Sequence, residues 1–135
     1  MKATNLEIWV AQAAPGPGIP SPLAVLSMSP MKPKSARATQ KLVRRVEEAA
    51  KDIDAVRLKL CQEHADKDEQ GEPKQMPETG YVIVQNAEAF KKDWQELLDE
   101  TIELDCRPIR DDELIGSALL PADFERLGPF LVESE

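Results

Sequence analysis

The sequence predicts an α+β fold, in which a long helix and a shorter helix form an antiparallel hairpin beside a small antiparallel β-sheet. Two observations carry the helices. From Ser35 to Ala65 no Gly or Pro interrupts the chain, and Leu42, Val46, Ala49, Ile53, Val56 and Leu60 recur at alternating steps of four and three. That spacing keeps all six side chains on one seam of an α-helix. A second apolar row, Ala87, Phe90, Trp94, Leu97 and Leu98, marks a shorter helix from Ala87 to Glu100. The third observation gives the sheet: short alternating or β-branched segments lie between turn-forming residues.

Taken in order, the 135 residues read as a single domain. Residues 1–13 hold a strand, because Leu6, Ile8 and Val10 alternate with Glu7, Trp9 and Ala11. Residues 14–33 contain six of the eleven prolines, which excludes a regular helix along the whole stretch. Its Leu23, Val25, Leu26, Met28 and Met31 make it a packed segment lying on the long helix, since a free linker rarely carries so many aliphatic side chains. Residues 34–66 are the long helix, with Ser35 as N-cap, roughly 45 Å long at 1.5 Å per residue. In heptad terms Val46, Ile53 and Leu60 fall at a, and Leu42, Ala49 and Val56 at d.

Residues 67–109 are expected to hold a hairpin, the second helix and a strand. Lys74–Met76 pairs with Tyr81-Val82-Ile83-Val84 across a turn at Pro77–Gly80, Asn86 caps the helix, and Ile102, Leu104 and Cys106 alternate until Pro108. Residues 110–135 form a tail with a short helix, Pro121 in its first turn and Gly128 past its last.

The net charge of −8 is unevenly spread. Residues 1–60 carry ten Lys and Arg against five Asp and Glu, a net of +5, and residues 61–135 carry seven against twenty, a net of −13. Lys32, Lys34, Arg37, Lys41, Arg44 and Arg45 follow one another with no acid between them. An antiparallel hairpin would bring Asp93, Glu96, Asp99 and Glu100 to this stripe, with Arg44 or Arg45 facing Asp99 or Glu100. The stripe follows helical spacing and could track phosphates, but no aromatic residue interleaves with it, so nucleic acid is disfavoured as a partner. No run approaches the ~20 apolar residues of a membrane span. Met1–Val10 does not read as a signal peptide, which points to an intracellular protein with Cys61 and Cys106 as reduced packing thiols.

Each candidate for chemistry has a simpler explanation. Asp66, Asp68, Gln70 and Gly71 resemble the start of a calcium loop, but Pro77 stands where the bidentate Glu belongs, so a polar turn is expected. Cys61 and His64 form half a zinc site without a second half, leaving a packed thiol and a solvated imidazole. Asp111-Asp112-Glu113 reads as an exposed acidic loop, because consecutive carboxylates do not converge on one point. With one His there is no nucleophile–base pair and no phosphate loop. No catalytic, cofactor or metal residue is assigned, and a non-enzyme is expected. The candidate contact residues are the seam (Leu42, Val46, Ala49, Ile53, Val56, Leu60), the basic row (Arg37, Lys41, Arg44) and the C-terminal Phe124, Leu127 and Phe130. Phe124, Leu127 and Leu131 share a helical face if the last helix continues past Gly128.

The order of these pieces resembles a family of small proteins encoded by tailed bacteriophages and prophages. The residues that carry it are Pro33-Lys34 before the long helix, Asp68-Glu69-Gln70-Gly71 and Gly80-Tyr81-Val82-Ile83-Val84. Further along they are Phe90 to Leu98, Thr101-Ile102-Glu103-Leu104, Leu120-Pro121-Ala122-Asp123-Phe124 and Pro129-Phe130-Leu131. The resemblance implies a phage origin and a place in the host cytoplasm or the virion, and no activity. The function expected is a protein–protein interaction or assembly module acting through the helical seam. Its partner would be a phage or host protein, or a second copy of the chain. The alternative is an acidic inhibitor whose carboxylates imitate nucleic-acid phosphates toward a host defence or nucleic-acid enzyme.

Overall fold

The computed structural model describes residues 1–65, 70, 87–116 and 119–133. The calcium-like loop, the hairpin of Lys74–Met76 with Tyr81–Val84 and the Asn86 cap lie outside the described residues, apart from Gln70. The architecture is α+β, with the expected long helix and a two-stranded antiparallel sheet.

The first strand ends where it was expected to begin. β1 is Lys2–Thr4, and Asn5–Gln12 is a helix, α1. Thr4 and Glu7 explain the difference. The Glu7 N–H donates to Thr4 Oγ1 at 3.1 Å, and the Thr4 N–H donates to Glu7 Oε1 at 2.8 Å. This capping box satisfies two otherwise orphaned donors and starts a helix at once. Asn5, Ile8 and Ala11, three apart, form its buried face, and the alternation of Leu6, Ile8 and Val10 is incidental.

The second half of the proline-rich segment packs against the core, as expected, and contains a helix, whereas residues 14–20 are exposed apart from Gly16. In α2, Pro22–Met28, Ser21 Oγ caps the Ala24 N–H at 3.1 Å and Pro22 occupies the first turn, where it has no hydrogen bond to lose. Leu23, Val25 and Leu26 are buried, Met31 is half-buried against the core, and Met28 is exposed.

α3 spans Pro33–Glu63, 31 residues, or roughly 46 Å. Its N-cap is Lys32 rather than Ser35, because Pro33 fits the first helical position and begins the helix three residues earlier. Leu42, Val46, Ala49 and Ile53 are buried against α1, α2 and the C-terminal segment. α4, Ala87–Asp99, runs back along the far end of α3, where His64 meets Asp93 and Phe90. Trp94 of α4 meets Trp9 of α1 edge to face, with ring centroids 5.5 Å apart.

β2, Thr101–Glu103, pairs antiparallel with β1, Ala3 opposite Ile102. A second pair was not foreseen: β3, Ile109–Arg110, runs parallel to β4, Leu131–Val132. A 3₁₀ turn at Asp111–Glu113 follows β3. α5, Pro121–Leu127, ends at Gly128, whose φ of +49° a side chain would strain. The helix therefore does not continue past Gly128. Gly128–Phe130 form a 3₁₀ turn; Phe124 is exposed on α5, while Leu127, Phe130 and Leu131 are buried.

Two predictions follow from this packing. Ile53→Asp places a carboxylate at a site 3 % exposed and is expected to unfold the protein, whereas Val56→Asp, one turn further and 38 % exposed, leaves it folded. Circular dichroism melts check both, and equal loss in the two variants would contradict the packing. Thr4→Ala removes the capping hydroxyl and should lower stability by about 0.5–2 kcal/mol, read from urea unfolding.

Candidate functional site

The seam residues are distributed differently from the sequence expectation. Leu42, Val46, Ala49 and Ile53 are core, and so are Leu127 and Phe130. None of the six can dock a partner without unfolding, because all belong to one buried cluster enclosed by the packed elements. Val56 is exposed, Leu60 half-buried and Phe124 exposed. Seam contact therefore remains open only at the far end of α3.

Arg37, Lys41 and Arg44 lie on the opposite, outer face of α3, and all three are exposed. No acid of α4 pairs with them among the described residues, because α4 packs at the far end of α3, where Asp93 meets His64. Asp93 Oδ2 accepts from His64 Nε2 at 2.8 Å, so His64 is held rather than solvated. Asp99 Oδ1 accepts from Gln95 at 2.9 Å, and the Glu100 carbonyl accepts the Asn5 N–H. The acid that does meet the basic row is Asp105, in the loop after β2. It lies 3.5 Å from Lys41 Nζ and 4.0 Å from Arg45, which also pairs with Glu48 at 3.2 Å. One carboxylate shared by two cations leaves most of the row uncompensated. Lys34, Arg37 and Arg44 form no ion pair among the described residues.

At the start of this face lies a group that sequence reading missed. Glu113 is only 9 % exposed, and its carboxylate accepts a fork from Arg107 at 2.7 and 2.9 Å, the Arg110 N–H at 2.8 Å and the Ser35 hydroxyl at 3.0 Å. The Arg107 guanidinium is the main reason the Glu113 carboxyl is held at about 2; burial opposes the shift, and the Arg110 and Ser35 hydrogen bonds add to it. The cluster clamps the segment around β3 to the first turn of α3. The acidic stretch is thus not a uniformly exposed loop: Asp112 is exposed and pairs with Arg110 at 3.3 Å, while Glu113 is the hub of a network. The i, i+3, i+6 order of Arg107, Arg110 and Glu113 was visible, but nothing in it reveals Ser35, 78 residues away.

A cavity of about 730 Å³ opens beside the clamp, bordered by Lys32, Lys34, Arg107, Arg110, Ile115 and Val132. A smaller hollow of about 450 Å³ follows along the outer face of α3 among Arg37, Gln40, Lys41 and Arg44. Cys61 and Cys106 are both free and half-buried, and burial raises the Cys106 thiol above its ordinary value. Among the described residues no three His, Cys, Asp or Glu side chains gather as metal ligands, and no helix is long and apolar enough to cross a membrane.

No family model, curated protein or solved structure matches this chain.

The depressed Glu113 value predicts a defined acid response. Its contribution to stability is complete above the ordinary Glu range, about 4.3, and is lost as pH falls through that range toward about 2. Wild type is expected to lose urea resistance across this window more steeply than Glu113→Gln. Parallel slopes would show that the clamp is not coupled to folding.

Proposed function

We propose that the protein is a non-enzymatic protein-binding module whose contact surface is the outer, basic face of α3. The observation that carries this reading is the set of exposed cations Lys34, Arg37 and Arg44, without an ion pair among the described residues, on a helix whose other face is fixed in the core. A rigid helix presents these charges without further ordering cost, which favours affinity and steers an acidic partner into register. The partner we infer is an acidic protein surface. The resemblance to phage proteins adds a setting, in assembly or in contact with a host protein, and with it a place in the host cytoplasm or the virion. A second copy of the chain is a further candidate, and it would join head to tail, since a basic face must meet a different, acidic one.

The inhibitor reading has less support. A phosphate mimic needs an unbroken acidic face, whereas the acids of α4 are interrupted by Lys91 and Lys92, and Asp93 is engaged by His64.

Charge reversal tests the proposal. The partner captured from host cells after nuclease digestion is to be identified, purified and titrated against wild type and the double variant Arg37→Glu, Arg44→Glu. Both positions are exposed, so the variant should keep its thermal midpoint while its Kd rises about tenfold, and wild-type affinity should fall steeply with salt. Unchanged affinity in the double variant, or capture that nuclease abolishes, would overturn the reading.

A further inference from the structure

Resting on that reading, we propose that the cavity between the start of α3 and the β3–β4 pair seats an extended segment of the partner in which acidic and apolar residues alternate. The cavity, about 730 Å³, falls within the range of specific ligand sites, roughly 300–1,000 Å³.

Its charges are unbalanced. Lys32, Lys34, Arg107 and Arg110 border it, against the carboxylates of Asp112 and Glu113. Glu113 is saturated by Arg107, the Arg110 N–H and Ser35, and Asp112 lies 3.3 Å from Arg110 Nε. Lys32 and Lys34 form no ion pair among the described residues, and both are exposed. Two positive charges therefore stand over the cavity on the α3 side. The other side carries apolar Pro108, Val132 and Ile115, the last 68 % exposed, beside the mutually paired Arg107–Glu113 and Arg110–Asp112. The clamp holds the two sides together, since Ser35 and Glu113 bridge them at 3.0 Å.

This division selects the ligand. A free phosphate would use the lysines and leave Ile115 in water. Single-stranded nucleic acid gains much of its affinity by stacking on aromatic rings, and none of the described residues that border the cavity is aromatic. An extended peptide sends successive side chains to opposite faces, so alternating Glu and aliphatic residues would meet the lysines on one side and Ile115 and Val132 on the other.

Fluorescence anisotropy with labelled (Glu-Leu)₄ tests the assignment, with (Glu-Gly)₄ and the octanucleotide (dT)₈ as comparison probes. Wild type is expected to bind (Glu-Leu)₄ more tightly than either. Lys32→Glu with Lys34→Glu should weaken binding about tenfold or more, and Ile115→Ser should weaken it several-fold by a route that leaves charge unchanged. Arg37→Glu with Arg44→Glu, outside the cavity, should leave peptide binding within about threefold. The proposal is overturned if wild type does not bind (Glu-Leu)₄, if neither cavity variant changes its affinity, or if (dT)₈ binds as tightly, which would assign a phosphate ligand instead. If peptide binding fails while Arg37→Glu, Arg44→Glu still weakens the purified partner, only the cavity assignment falls. If the partner titration is also unaffected, the basic-face reading falls with it.

Discussion

The rest of the structure depends on covering the apolar seam of α3. A helix of 31 residues exposes a stripe that no other single element among the described residues can match in length. The cover is therefore assembled from pieces. α1 and α2 pack on α3 where Leu42, Val46, Ala49 and Ile53 are buried, and α4 lies over its far end. Each piece is too short to be stable alone, so each is helical because its apolar face has α3 to rest on. Fully buried Ile8, Leu23, Leu26, Leu127 and Phe130 contribute about 1.5–3 kcal/mol apiece on transfer from water. With Phe130 the only fully buried aromatic among them, the core is aliphatic, and the edge-to-face contact of Trp9 with Trp94 ties the two parts of the cover together.

Where the sequence could be read, one physical signal dominated. α3, α4 and α5 were legible because long apolar periodicity, or Pro before and Gly after a short run, has few alternative readings. α1 was misread because Leu6, Ile8 and Val10 satisfy a period of two while Asn5, Ile8 and Ala11 satisfy a helical period. Over eight residues the two patterns compete. The deciding evidence was Thr4 and Glu7, a capping box whose reach is local but whose meaning is plain only when a helix is already suspected. α2 was hidden by its prolines, although Ser21-Pro22 is a good helix start. The parallel pairing of Ile109–Arg110 with Leu131–Val132 leaves no local trace, since two-residue strands are made by the surrounding packing.

The candidate surface was half legible. The basic row stood out by composition, and its helical spacing correctly put Arg37, Lys41 and Arg44 on one outer face. Its counter-charge was assigned to the wrong element. Charge complementarity along a sequence gives the sign of a partner but not its distance, and α4 packs at the far end of α3, where its Asp93 meets His64. Asp105 and Glu113 took the structural roles instead, from loops whose positions depend on tertiary packing.

The two faces of α3 are constrained very differently, which bears on how such a protein could acquire partners. On the inner face a change of one methylene is felt by three or four packed elements at once. On the outer face a change of charge alters exposed pairs worth ~0.2–1 kcal/mol each, so the fold tolerates it. The Arg107–Glu113–Ser35 clamp extends this separation to the cavity. Because Glu113 already satisfies the groups that fix the cavity's shape, Lys32, Lys34 and Ile115 at its border carry no structural duty that the core depends on. Specificity can then drift at the border while the frame stays constant, and the helix that organises the fold also presents the surface that is free to change.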